Sequence, residues 1–230
     1  MKGLDDYEKF KIIRQLPDDY KRNKLGIPML KYEDYSNIDW ETIKFTSFSN
    51  IGNCKEKHSS VVLMFHYDNV LNRMWNNPLK YVDKFLPFSI IATPDFSAYT
   101  NMAPIDIAHN IYKNRWLGCF YQSKGIKVIP TVTWADESTY DVCFSGLPYG
   151  TPVVISTFGC VNFTKEFLDG FNEMKKKINP RLIIVRGKFI KGMTGKLMFL
   201  DFEDTYISKN TYEQIKLFES TRVVNIETED

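Results

Sequence analysis

Apolar residues along the chain fall into two rhythms. From Ser59 onward come short continuous runs: Val61-Val62-Leu63-Met64-Phe65, Ser89-Ile90-Ile91-Ala92, Ile126-Lys127-Val128-Ile129, Val153-Val154-Ile155 and Leu182-Ile183-Ile184-Val185. Runs rich in Val and Ile, mostly without alternation, are the mark of strands covered on both faces. Leu197 to Leu200 predicts a sixth. Between these runs the period lengthens. Ile105, Ala108, Ile111, Tyr112, Trp116, Cys119 and Phe120 recur mostly at three- and four-residue spacing and stop before Gly125, which predicts a helix. Phe167, Leu168, Phe171 and Met174 share one face of a second helix over Lys165 to Ile178, closed by Asn179-Pro180, and a third fits Thr211 to Phe218. Strand, helix, strand, helix implies right-handed βαβ units and a mainly parallel sheet. The expected fold is α/β, with five or six strands in an open doubly wound sheet or an incomplete barrel. A full eight-fold barrel takes about 250 residues, more than remain after the N-terminal stretch.

Residues 1–58 lack a clean period. Leu4 to Leu16 can form a short helix with Tyr7, Phe10 and Ile13 along one side, and Pro17 ends it. Charges then alternate with Tyr32, Tyr35, Trp40, Phe45 and Phe48. This stretch reads as a lead-in packed on a core domain of residues 59–230.

Composition narrows the function classes. A 43% hydrophobic chain with 15% aromatics has material for a sizeable core and excludes disorder as a whole-chain description. Lys and Arg number 30 against 28 Asp and Glu, and a surplus of +2 argues against an obligate duplex binder. The densest basic stretch, Lys175-Lys176-Lys177 with Arg181, reads first as a solvated helix end. Cys54, Cys119, Cys143 and Cys160 form no C-x-x-C, and His58, His66 and His109 form no H-x-x-x-H, so a structural zinc is not expected. With no signal-peptide core and no apolar run near the roughly 18 residues of a span, the expected location is cytoplasmic, with no membrane partner.

In parallel α/β architectures functional groups sit beyond the carboxyl ends of strands. The predicted strands end in His66-Tyr67-Asp68-Asn69, Thr93-Pro94-Asp95-Phe96-Ser97, Thr131 through Trp134 to Asp136-Glu137, Ser156-Thr157-Phe158-Gly159-Cys160 and Arg186-Gly187-Lys188. Convergence of Asp68, Asp95 and Asp136 would make an oxygen-ligand site for Mg²⁺ or Mn²⁺, able to orient a phosphate and activate water. Without metal, Asp95, Asp136 and Glu137 offer a general acid and base. Each has a structural alternative: Asp68 and Asp95 as turn or cap residues, Asp136 as the cap of a short helix. Trp134 can stack on a base or sugar, or plug the sheet end. Arg115 can contact an anion, or make a salt bridge. His66 is a candidate ligand contact or a hydrogen-bonded core histidine, and Ser97 a ligand contact. Cys160 resembles a nucleophile at a helix head, but has no histidine near it in sequence. No G-x-G-x-x-G, P-loop, G-x-S-x-G or H-E-x-x-H is present.

Several uncommon peptides occur in order: Trp75-Asn76-Asn77-Pro78, Pro94-Asp95-Phe96-Ser97-Ala98-Tyr99, Asn114-Arg115-Trp116-Leu117-Gly118, Gly125 to Trp134, Phe144-Ser145-Gly146-Leu147-Pro148 and Ser156 to Cys160. Over about residues 60–190 the chain resembles a domain-of-unknown-function family of bacteria and their phages and plasmids, with the lead-in and the last 40 or so residues outside the match. The resemblance implies a mobile-element context, and host-cell cytoplasm if phage-encoded, but no activity. The acidic strand ends make an enzyme the first reading: a hydrolase or related enzyme, with a metal or by acid–base chemistry, acting on a phosphorylated or nucleotide-like ligand. The alternative is a non-catalytic accessory protein that binds a host protein, a nucleic acid or a signalling nucleotide. In that alternative the aromatic lead-in is the contact surface.

Overall fold

The computed structural model describes residues 5, 8–160, 162–200 and 223–227. The strands are β1 (Lys44–Ser47), β2 (Ser60–Leu63), β3 (Ile90–Ala92), β4 (Val128–Ile129), β5 (Val153–Ser156), β6 (Ile183–Arg186), β7 (Gly195–Phe199) and β8 (Val223–Ile226). The α-helices are α1 (Asp68–Asn76), α2 (Val82–Phe85), α3 (Pro104–Gln122), α4 (Tyr140–Cys143) and α5 (Thr164–Ile178). They form an α/β fold with two four-stranded sheets, ordered β1-β2-β3-β4 and β5-β6-β7-β8. The first is all parallel. The second is parallel except for β8, which runs antiparallel to β7.

Order within each sheet follows the sequence. The chain beyond β4 carries the pairing across to the second sheet: Thr131 bridges Val154 in parallel, Val132 N donates to Val154 O at 2.8 Å, and Val154 N donates to Pro130 O at 2.9 Å. The expectation of one five- or six-stranded sheet is corrected accordingly. β1, Lys44-Phe45-Thr46-Ser47, buries only part of its length and lacks the Val/Ile run that marks its neighbours, and β8 is half-buried at an edge. β1 also shows that the lead-in contributes a strand to the first sheet.

Because side chains alternate along a strand, each sheet has two separate faces. Val62, Ile91 and Val128 pack against Leu71, Met74, Phe85, Trp116, Leu117 and Phe120, which come from α1, α2 and α3. Val153, Ile155, Ile183, Val185 and Leu197 pack against Ile107, Ile111, Phe167, Phe171 and Met174 of α3 and α5. The opposite faces meet each other: Phe45, Val61, Leu63, Ile90, Ala92, Ile129, Val154, Ile184 and Met198 join in one cluster that, among the described residues, holds no helical one. Helices thus cover one face of each sheet, and strands of both sheets line a shared interior.

Both expected long helices form. α3 is exposed at its start and buried nearly all round from Asn110 onward, and α5 ends where Asn179 takes a left-handed conformation, φ 47°. Glu8–Ile12 is a short π-helical turn in place of the helix expected over Leu4 to Leu16, part of which lies outside the described residues. The helix expected over Thr211 to Phe218 lies wholly outside them. Among the described residues no helix is long and apolar enough to cross a membrane.

Candidate functional site

A cleft of about 1130 Å³ opens at the carboxyl ends of six successive strands. β1 contributes Ser47, with Ser49 beyond it. The chain after β2 supplies Phe65, His66 and Tyr67, and that after β3 supplies Asp95 to Asn101. Val132 to Ala135 follow β4. Ser156, Phe158, Gly159 and Cys160 come from the end of β5, Phe163, Glu166 and Phe167 from the start of α5 and the turn before it, and Arg186 from the end of β6. Eight of the 24 lining residues are Phe, Tyr or Trp.

Asp95 sits on a loop held from beneath. Its amide donates to Met64 O at 3.1 Å. Asn114 of α3 donates from Nδ2 to Pro94 O at 2.7 Å and Thr131 O at 3.3 Å, and Asn110 donates to Ser97 O at 2.7 Å. Burial pushes the Asp95 carboxyl up to about 7; Arg186 opposes the shift and Asp68 adds to it. A half-buried carboxyl near neutrality can give or take a proton at physiological pH.

Among the described residues Arg186 is the Lys or Arg that lines the cleft. Its guanidinium lies 4.3 Å from the Phe158 ring centroid and 4.8 Å from that of Phe65. Among the described residues it has no hydrogen-bond or ion-pair partner, so its donors are free for a ligand. Burial lowers its pKa and Asp95 partly restores it. The residue follows the predicted strand run 182–185 and closes the observed β6, and its inward direction follows from alternation with Leu182 and Ile184, a signal open in the sequence but not drawn on above.

The other expected site residues divide. Ser97 lines the cleft, with its amide and Oγ both donating to Asp68 Oδ1 at 3.1 Å. Asp68 is thereby held as the acceptor of a loop contact. His66 lines the cleft, with Nδ1 accepting from Tyr67 N at 2.8 Å. Trp134 lines it too, but its indole is wedged against Phe167 and Phe144, with ring centroids 5.4 and 5.8 Å away.

Asp136 and Glu137 are not in the cleft wall. Asp136 caps the 3-10 turn Glu137–Thr139, accepting from Ser138 N at 3.0 Å and Ser138 Oγ at 2.6 Å, and Glu137 is exposed on that turn. The cap is local, its partner Ser138 lying two residues on. Asp68 and Asp95 thus lie near enough to interact, and Asp136 does not join them. Among the described residues no group of three or more His, Cys, Asp or Glu could hold a metal ion.

Arg115 is also removed from any ligand. It is fully buried, with Nε donating to Ser145 O at 3.0 Å, Nη1 to Asn114 Oδ1 at 2.5 Å and Nη2 to Cys143 O at 2.6 Å. Among the described residues no carboxylate pairs with it, and its donors are taken up by these acceptors. It fastens α3 to the turn after α4. Burial raises the Cys160 thiol, the opposite of nucleophile activation. Of the lead-in aromatics, Tyr35 and Phe45 are core residues; Tyr35 Oη donates to Val128 O at 2.6 Å. They cannot serve as a contact surface.

Comparison with known proteins places this cleft in a family context. Residues 20–203 match the family described as "Domain of unknown function (DUF4417)". This span takes in most of the lead-in, which the sequence resemblance had left outside, and is consistent with β1 being part of the first sheet. The Gene 1 protein of Mycobacterium phage L5 is 34% identical over 135 residues, 57% of this chain and 59% of that protein. The Gene 1 protein of Mycobacterium phage D29 is 34% identical over 118 residues, 50% of this chain and 44% of that protein. The chain thus spans about half the length of these curated relatives. No solved structure matches. The chain belongs to the DUF4417 family, with phage Gene 1 proteins among its relatives.

Proposed function

We propose that the cleft binds a nucleotide-like ligand, aromatic at one end and anionic at the other, and that Asp95 exchanges a proton with it as the acid–base group of a hydrolase. The observation that carries this reading is the pairing of Arg186, unpartnered between two aromatic rings, with a carboxyl pushed up to about 7 in the same aromatic cleft. An aromatic wall with a few convergent polar groups is the usual make-up of a small-molecule site, and a perturbed carboxyl within it marks a candidate for proton transfer. The volume accommodates a ligand of nucleotide size. The acid–base form has more support than the metal form, because Asp68 and Asp136 are engaged in loop and cap contacts. The strand order and the shared interior cluster fit an incomplete barrel, in which such a cleft is the open mouth.

Mass spectrometry of small molecules released from purified, heat-denatured protein tests the ligand class. A nucleotide-like species is expected, and adenosine or a nucleoside 5′-monophosphate is expected to change the fluorescence of Trp134. With Asp95→Asn, binding should persist while turnover of the bound species falls by about 10²-fold or more. The absence of both a released ligand and a fluorescence response across a nucleoside and nucleotide panel would count against the reading.

A binding-only role has one specific observation in its favour. Tyr67, Tyr99, Phe158 and Phe163 line the cleft and are 81%, 63%, 41% and 62% exposed. A rim of exposed aromatics suits stacking against something that extends out of the cleft. In that case Asp95→Asn leaves every measurable property of the ligand complex intact.

A further inference from the structure

The apolar interior shared by the two sheets ends, at the cleft, in a polar layer. Inward-facing rows run Ile43, Phe45 and then Ser47 into and along β1, Val154 and then Ser156 in β5, and Leu182, Ile184 and then Arg186 into and along β6. The two-residue step of a strand carries each row from the core to the cleft, where Ser47, Ser156 and Arg186 all line the wall. Phe65 extends the row of β2 in the same way and sits against the Arg186 guanidinium.

Ser47 Oγ is a buried polar atom without a hydrogen-bond partner, alone in this among the described residues. Buried polar groups are nearly always paired, because leaving one unpaired forfeits its hydration with nothing in return. Ser156 Oγ accepts from Phe158 N at 3.3 Å, which leaves its own proton to donate. Among the described residues the Arg186 fork has no hydrogen-bond partner, its contacts being the Phe65 and Phe158 rings and the field of Asp95.

We propose that Ser47, Ser156 and Arg186 form an oxyanion subsite for a tetrahedral phosphate-type group. The proposal rests on the reading of the cleft as a ligand site and names the chemistry of its inner end. Donors arrive from three strands. A planar carboxylate is satisfied by a guanidinium fork alone, whereas a tetrahedral anion offers further oxygens out of that plane for the two hydroxyls. The aromatic part of a phosphorylated ligand then lies outward, along Phe158, Tyr67 and Tyr99. Asp95 is left beside the group to be transferred or released.

Inorganic phosphate and phenyl phosphate, titrated into the full chain and followed by ³¹P NMR line broadening, test the subsite. Both should bind the wild-type protein. Arg186→Gln should weaken phosphate by at least tenfold and Ser47→Ala by about threefold to tenfold, the worth of a hydrogen bond to a charged group less the relief of an unpaired hydroxyl. Ser47→Ala should leave the unfolding midpoint of the ligand-free protein unchanged or raise it, which separates lost binding from lost folding. Arg186→Lys keeps the charge without the fork, and intermediate weakening is expected. Tighter binding of phenyl phosphate assigns the anion to an aromatic ligand, and equal affinity assigns it to free phosphate. Wild-type affinity in both Ser47→Ala and Arg186→Gln overturns the subsite. So does the absence of phosphate binding in the wild type. If adenosine still perturbs Trp134 in that last case, the cleft reading stands and only the subsite fails; if adenosine is also without effect, both fall.

Discussion

A carboxyl whose pKa is raised by burial carries a penalty in its ionised form, and for Asp95 that penalty has a defined pH window. The folded value of about 7 lies above the ordinary 3.8. Below the ordinary value the group is protonated in both states and costs nothing. As pH rises toward 7 the unfolded chain releases the proton first, so the folded state loses stability across that interval and the loss levels off above 7. Asp95→Asn should remove the effect. Urea unfolding at pH 4.5 and pH 8 should show the wild type losing stability relative to the variant, on the order of 2 kcal/mol once the carboxyl's partial exposure is allowed for. Equal pH dependence in the two proteins would place the Asp95 carboxyl in water. Asp95 was legible from sequence because it follows an apolar strand run. Asp136 was legible as an acid in the same kind of position, but sequence leaves open whether such an acid faces the cleft or caps the next turn. Here Ser138 lies two residues on and takes it as a cap.

At the scale of elements, α5 and the chain after β4 are fitted to each other through a missing side chain. A Cβ at Gly170 would stand 2.1 Å from Trp134 Nε1, inside any tolerable contact. The glycine opens a notch in α5 that seats the indole against Phe167 and so fixes one wall of the cleft. Gly170→Ala gains about 1 kcal/mol in helix propensity but must displace the indole, and overpacking typically costs about 1–3 kcal/mol. Net destabilisation is expected, with a shift in the Trp134 emission maximum, identified by its absence in the Trp134→Phe background. An unshifted spectrum with raised stability would mean that the notch is loose. α3 makes a related point. Its apolar spacing predicted the helix correctly, yet Asn110, Lys113, Asn114 and Arg115 are buried with it. Apart from the Arg115–Asn114 contact, their partners lie outside α3: carbonyls of Pro94, Ser97, Thr131, Cys143 and Ser145 and the side-chain amide of Asn72 on α1, so little in the local sequence announces that these polar residues point inward.

Across the whole molecule, the junction of β4 and β5 decides whether the two sheets act as one. Val132 N and Val154 N both donate across it, at 2.8 and 2.9 Å. Native-state hydrogen exchange should therefore find these two amides as slow as those of Val62 and Ile184 in the middle of their sheets. Exchange at the rate of a sheet edge would mean that the sheets open independently and that the cleft lacks a rigid floor. The family match over residues 20–203 runs through this junction and includes β1, consistent with one continuous unit.

Sequence by itself determined the α/β class, the parallel strands from β2 to β7, the two long helices and the strand ends where polar groups gather, because buried strands and amphipathic helices write their periods locally. It also carried the family resemblance in a set of ordered peptides. Only the tertiary structure decided the partnerships: Arg186 between Phe65 and Phe158, Arg115 on the carbonyls of Cys143 and Ser145, Asp68 on Ser97, and Ser47 beside the cleft without a partner. The physical reason is that an apolar residue is driven inward wherever the core forms, whereas a polar one is placed by a particular partner, and that partner usually lies on another strand or helix.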